Sequence, residues 1–178
     1  VDSLNPIAAD TFYVAGSTGA GGRVGALDRN IGTGGIFLQG NLSIQSLLFT
    51  VTSEVTLESV FLYPDVAGRV EIQLRDVNGV VLQSTVVNVS NTLGERVSVG
   101  FTIPIGSYQL GANSANSTTG LYRNNGGVNY PYISTGGDVS INNSTAGTGF
   151  YYYFYDWILA GCESPRTMVI GNVDCVVG

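Results

Sequence analysis

Chemistry in this chain has to come from carboxylates, arginines, hydroxyls and phenols, because the sequence contains no His and no Lys. Without His there is no Ser–His or Cys–His nucleophile pair and no imidazole metal site. Without Lys there is no Schiff base, no phosphate-loop lysine and no Lys-based isopeptide cross-link. What remains for catalysis is a pair of carboxylates, as in glycoside hydrolysis, drawn from Glu54, Glu58, Glu71, Asp138 and Asp156, or a Tyr base beside an Arg. None of these sits in a motif. Glu71 alternates with Arg69, Gln73 and Arg75 on what reads as the solvated face of a strand. The expectation is a protein without catalytic residues.

Binding has better material. Sugars present apolar C–H faces and many hydroxyls, so aromatic platforms ringed by amides, Arg and carboxylates suit them. Tyr122, Arg123, Asn124, Tyr130 and Tyr132 fall in a Gly- and Asn-rich region that reads as loops, where binding groups commonly reside. The stretch 149–159 (GFYYYFYDWIL) holds the only Trp and four of the ten Tyr. Read as one strand of period two, it puts Tyr151, Tyr153, Tyr155 and Trp157 on one face. That face either extends a ligand platform or is covered as core, and the sequence leaves both readings open. Calcium needs six to eight oxygens. Asp10, Asp28, Asp65, Asp76 and Asp138 are dispersed over the loops without an Asp-x-Asp-x-Asp run, so a structural calcium is an option but no metal ligand is assigned. No other cofactor is expected.

A net charge of −6 argues against nucleic acid, whose binding rests on neutralising phosphates. No apolar run reaches the roughly 18 residues of a membrane span, so membrane insertion is not expected. The glycine-rich segment 16–22 lacks the Lys and the following helix pattern of a phosphate loop. Cys162 and Cys175 are too few for a structural zinc site and are expected to form a disulfide, which would stabilise by about 3 kcal/mol. Paired thiols in a Lys-free chain rich in Asn, Ser, Thr and Gly point to an extracellular or cell-surface location.

The elements that must position these groups are strands. Arg69 to Arg75 alternates, with Val70, Ile72 and Leu74 inward, and Glu95 to Ile103 does the same with Val97, Val99, Phe101 and Ile103. Asn78-Gly79 between two β-rich runs predicts a hairpin with a type I′ turn. Further short strands are expected within 42–51, 56–63, 107–111, 121–124, 128–132 and 139–141, and no ten-residue segment keeps a helical apolar period. Many short strands with regular turn signals predict an all-β antiparallel β-sandwich of jelly-roll type. The compact module is placed at residues 8–160, followed by a disulfide-closed tail or linker at 161–178.

Several phrases in order resemble one module type: Val60-Phe61-Leu62-Tyr63-Pro64, Val70 to Leu74 with Asp76-Val77-Asn78-Gly79, Val99 to Tyr108, Leu121-Tyr122-Arg123-Asn124, and the Tyr-rich strand ending in Asp156-Trp157. The chain resembles the non-catalytic β-sandwich modules of secreted and surface proteins of Bacteroidetes-type bacteria. Those modules are appended to proteases, glycoside hydrolases and adhesins exported by the type IX route. The resemblance covers roughly residues 42–170 and carries no defined active site. It implies an extracellular, carbohydrate-binding or adhesive module excised from a larger chain, with a polysaccharide or cell-surface glycan and the other domains of the parent chain as partners. The alternative is a spacer or adhesin repeat without a small ligand.

Overall fold

The computed structural model describes residues 21–161, together with the backbone of two strands at 11–14 and 167–170. Cys162 and Cys175, and with them the expected disulfide, lie outside the described residues, as does Asp10. The chain is all-β. Its strands are β1 Thr11–Val14, β2 Gly22–Val24, β3 Gly34–Phe37, β4 Ser46–Val51, β5 Val55–Leu62, β6 Gly68–Arg75, β7 Val81–Val89, β8 Glu95–Ile103 and β9 Gly106–Asn113. They continue with β10 Leu121–Asn124, β11 Tyr132–Ile133, β12 Val139–Ser144, β13 Tyr151–Tyr152, β14 Tyr155–Gly161 and β15 Thr167–Ile170. Two 3-10 helices, Arg29–Ile31 and Gln39–Ile44, flank β3. No helix among the described residues is long and apolar enough to cross a membrane.

All pairings are antiparallel and build a β-sandwich. One sheet has six strands in the order β11-β12-β4-β9-β6-β7, the other four in the order β2-β14-β5-β8. A three-stranded sheet, β13-β10-β3, lies beside them, and β1 pairs with β15. The core forms because both large sheets turn an alternate apolar set inward. Leu47, Phe49, Val51, Val70, Ile72, Leu74, Leu110 and Ile141 come from the first; Val55, Leu57, Val60, Leu62, Val99, Phe101 and Ile103 come from the second, all buried. Trp157 on β14 is fully buried and meets Phe49 on β4 edge-to-face, with centroids 5.2 Å apart, so it joins the two sheets across the core.

Two expectations about local structure need correction. The first concerns the aromatic stretch, which is not one strand. Tyr151–Tyr152 pairs with β10 in the three-stranded sheet, whereas Tyr155 onward pairs with β5 and β2 in the four-stranded sheet. The switch happens at Tyr153 and Asp156, both non-glycine residues at positive φ (62° and 43°). Such geometry is costly for a bulky residue and persists only where the surroundings impose it. The second concerns the β6–β7 hairpin, whose loop has three residues rather than two. Asp76 N–H donates to Val80 C=O at 2.9 Å, and only Gly79 (φ 84°) takes the left-handed conformation, so the type I′ geometry is not formed. Asp76 serves this turn, its Oδ1 accepting from Asn78 N–H at 2.9 Å and Val80 N–H at 2.8 Å.

Candidate functional site

The predicted binding residues separate into two aromatic clusters, the second of which lines a groove. In the first, β10 runs between β13 and β3 and carries Tyr122, Arg123 and Asn124. Asn124 is fully buried. Its Nδ2 donates to the carbonyls of Arg29 (3.0 Å), Gly32 (3.2 Å) and Thr33 (3.3 Å), and its Oδ1 accepts from the Tyr155 hydroxyl (2.7 Å). This amide therefore holds the 3-10 turn against the core. Tyr122 is covered by the Arg29 guanidinium, 5.4 Å from its centroid, and by the edge of Tyr63. The Arg123 guanidinium lies between Phe37 and Phe150, 5.9 and 5.6 Å from their centroids. All three lie on a strand, as the sequence predicts for 121–124, and not on the open loop the binding reading expected; Asn124 is fully buried, and Tyr122 and Arg123 are half-buried.

Of the two readings left open for the tyrosine row, the structure has the covered one: Tyr151, Tyr153 and Tyr155 are all fully buried. The Tyr151 hydroxyl donates to Phe154 C=O at 2.9 Å and accepts from Ala26 N–H at 3.2 Å. It also comes so close to Gly25 (φ 97°) that a Cβ there would overlap it. The Tyr153 hydroxyl has no hydrogen-bond partner among the described residues. Burial pushes the Tyr130, Tyr151, Tyr153 and Tyr155 phenols far up, so none of them is a base near neutral pH.

The second cluster is open on one side. Tyr130 stacks on Tyr151 (6.1 Å, 18°) and donates its hydroxyl to Phe150 C=O at 2.8 Å. Tyr132 sets its ring edge-on to both Tyr130 (5.5 Å) and Tyr151 (5.3 Å), and its hydroxyl accepts from Asn129 N–H at 3.3 Å. With Pro131 and Ile133 it forms one wall of a groove of about 560 Å³. The other wall is Arg23, Val24, Gly25 and Leu27, and Asn129 and Thr135 complete the lining. Leu27 (67%) and Ile133 (62%) are among the most exposed large apolar residues described. Arg23 is held in place: its Nε donates to Asp156 Oδ1 at 2.6 Å and its Nη2 to Oδ2, while Arg96 Nη2 reaches Oδ2 from the other side. Asp156 N–H donates to Ala26 C=O at 2.8 Å, fixing β14 to the groove wall.

Of the eight predicted ligand residues, Tyr132 lines the groove and Tyr130 and Tyr151 back it. Arg23, Leu27, Asn129, Ile133 and Thr135 were not foreseen. Their only sequence signal is adjacency to turn-forming Gly, Asn and Pro, which does not say that two segments some hundred residues apart will face each other.

Two of the five candidate carboxylates, Asp156 and Glu71, are committed to fixed partners. Asp156 serves two guanidiniums. Glu71 is buried and accepts from Gln73, Asn113 and Asn116 at 2.9, 2.8 and 2.5 Å. Arg75 is buried beside it, donating to Gln73 Oε1, Ala112 C=O and Ser46 Oγ. The solvated face expected for Glu71, Gln73 and Arg75 is thus a buried polar array. Among the described residues no three acidic or thiol side chains converge on a cation site. A smaller hollow of about 260 Å³ beside Leu48, Thr50, Ser107 and Gln109 under Val77 contains no charged side chain. Comparison with protein-family models, curated proteins and solved structures finds no match to this chain.

Proposed function

We propose that this chain is a non-catalytic extracellular binding module that takes a saccharide in the groove between Arg23–Leu27 and Asn129–Thr135. One observation carries the reading. Exposed Leu27 and Ile133 and the half-buried Tyr132 face polar side chains (Arg23, Asn129, Thr135) across a hollow of about 560 Å³, within the range of small-molecule sites. A pyranose has one apolar C–H face and a rim of hydroxyls, which that pairing matches. Commitment of Asp156 and Glu71 to fixed partners supports binding without turnover. The resemblance to β-sandwich modules of Bacteroidetes-type surface proteins supports an adhesive or polysaccharide-retaining role within a larger secreted chain.

Retention on insoluble polysaccharides tests this. Tyr132→Ala and the exposed-site variant Asn129→Ala should weaken retention by about tenfold each, the equivalent of 1.4 kcal/mol. Tyr122→Ala, outside the groove, should leave retention unchanged, with melting temperatures read in parallel. Absence of retention on every polysaccharide, or retention indifferent to both groove variants, would leave the module a spacer.

A further inference from the structure

Among the described residues, Arg23 is the only charged side chain in the groove lining. On a chain with thirteen acidic and seven basic residues, a binding surface with a guanidinium and no carboxylate runs against the overall charge. The nearest acidic residue along the chain, Asp28, is turned to Asn30 N–H at 2.7 Å as the cap of the first 3-10 helix. Asp156 stands behind the wall with Arg23 and Arg96 both on it, so the three groups together carry one net positive charge.

The guanidinium is also pre-positioned. Asp156 takes Nε and Nη2, which leaves Nη1 with both of its N–H groups unassigned, and the Arg23 side chain is 58% exposed. An Arg fixed on one edge by a buried carboxylate loses little conformational entropy when its other edge engages an anion. The anion it suits best is a planar carboxylate, which accepts two parallel N–H bonds.

Resting on the groove reading above, we propose that the saccharide is acidic: a uronate-type sugar whose carboxylate meets Arg23 while its ring packs on Tyr132, Leu27 and Ile133. The intact chain is tested against polygalacturonate and alginate, against methyl-esterified polygalacturonate, which has the same backbone with the charge erased, and against a neutral β-glucan. The expected result is retention on at least one uronate polymer, about tenfold weaker after methyl esterification or in Arg23→Gln, and weaker at raised ionic strength. Arg69→Gln removes the same unit charge from exposed β6 surface and should change nothing. Equal retention of neutral and uronate polymers, or equal losses in the two Arg variants, overturns the acidic ligand while leaving the groove reading in place. No retention on any saccharide overturns both. The esterification comparison uses the unaltered protein, so it decides the matter even if Arg23→Gln folds poorly.

Discussion

Tyr155 donates its hydroxyl to Asn124 Oδ1 at 2.7 Å in the core, tying the four-stranded sheet to the three-stranded one. The two residues do not contribute equally. Tyr155→Phe leaves one amide oxygen without a donor, a loss of about 1–3 kcal/mol. Asn124→Ala leaves the hydroxyl and the carbonyls of Arg29, Gly32 and Thr33 without their partner, and opens a cavity as well. Denaturant unfolding should show Asn124→Ala to be the more destabilising change, by at least about 1 kcal/mol. Equal losses would mean that the three carbonyls find other donors.

Tyr153, two residues earlier, is the contrasting case. Its hydroxyl is buried with no partner among the described residues. Removing an unsatisfied polar group relieves a desolvation cost instead of breaking a bond. Tyr153→Phe should therefore be neutral or stabilising by up to about 1 kcal/mol, where Tyr155→Phe destabilises. A clear drop in melting temperature for Tyr153→Phe would show that the hydroxyl is satisfied in solution.

Asp156 links the strained turn to the groove. Asn tolerates positive φ as well as Asp does, so Asp156→Asn removes the charge without adding backbone strain. The carboxylate is buried and two guanidiniums depend on it, so the variant should lose about 2–4 kcal/mol. It should also weaken ligand retention, since Arg23 is then free to reorient. Normal retention at full stability would show that Arg23 needs no anchor.

Period-two alternation carried much of the fold. Val70, Ile72, Leu74, Val97, Val99, Phe101 and Ile103 announced their inward faces through period-two alternation, and the structure buries all of them. Alternation reports which residues share a face; it does not report whether the other face is wet. Glu71, Gln73 and Arg75 read as solvated because charged side chains usually are. They are instead buried against Asn113, Asn116 and the Gln39–Ile44 helix region, a long-range arrangement with no local signature. Likewise nothing in the run Tyr151–Tyr155 marks the positive φ at Tyr153 that sends the chain to a second sheet. The groove was legible only at Tyr132, because its facing wall is brought there by the pairing of β2 with β14.

At alkaline pH the tyrosines set the limit. Tyr63, Tyr130, Tyr151, Tyr152, Tyr153 and Tyr155 all have phenols raised above their ordinary value, chiefly by burial, which disfavours the phenolate. A group with a raised folded pKa contributes stability that is complete below its unfolded pKa, about 10, and lost as pH rises through the folded value. Stability should therefore fall steadily above about pH 10. Phenolate absorbance from these six of the ten tyrosines should appear together with loss of the circular-dichroism signal rather than before it. Early ionisation of most tyrosines at intact structure would contradict their burial.

At acidic pH the corresponding group is Glu71. Burial alone raises its pKa, but the amides of Gln73, Asn116 and Asn113 and the Ser84 hydroxyl outweigh that and hold it below the ordinary carboxylate value. A depressed folded pKa means stability that is present above the unfolded value, about 4.3, and lost as pH falls below it. Glu71→Gln keeps the shape but turns an amide N–H₂ toward donors already in place, so it should cost about 1–3 kcal/mol at pH 7. The variant should then lose less on acidification than the unaltered chain. Plotted against pH, the two unfolding free energies should begin to converge below the unfolded value, about 4.3, and meet once the pH has fallen through the depressed folded value of Glu71. Parallel curves down to pH 3 would show that the carboxylate is not the group that gives the array its stability.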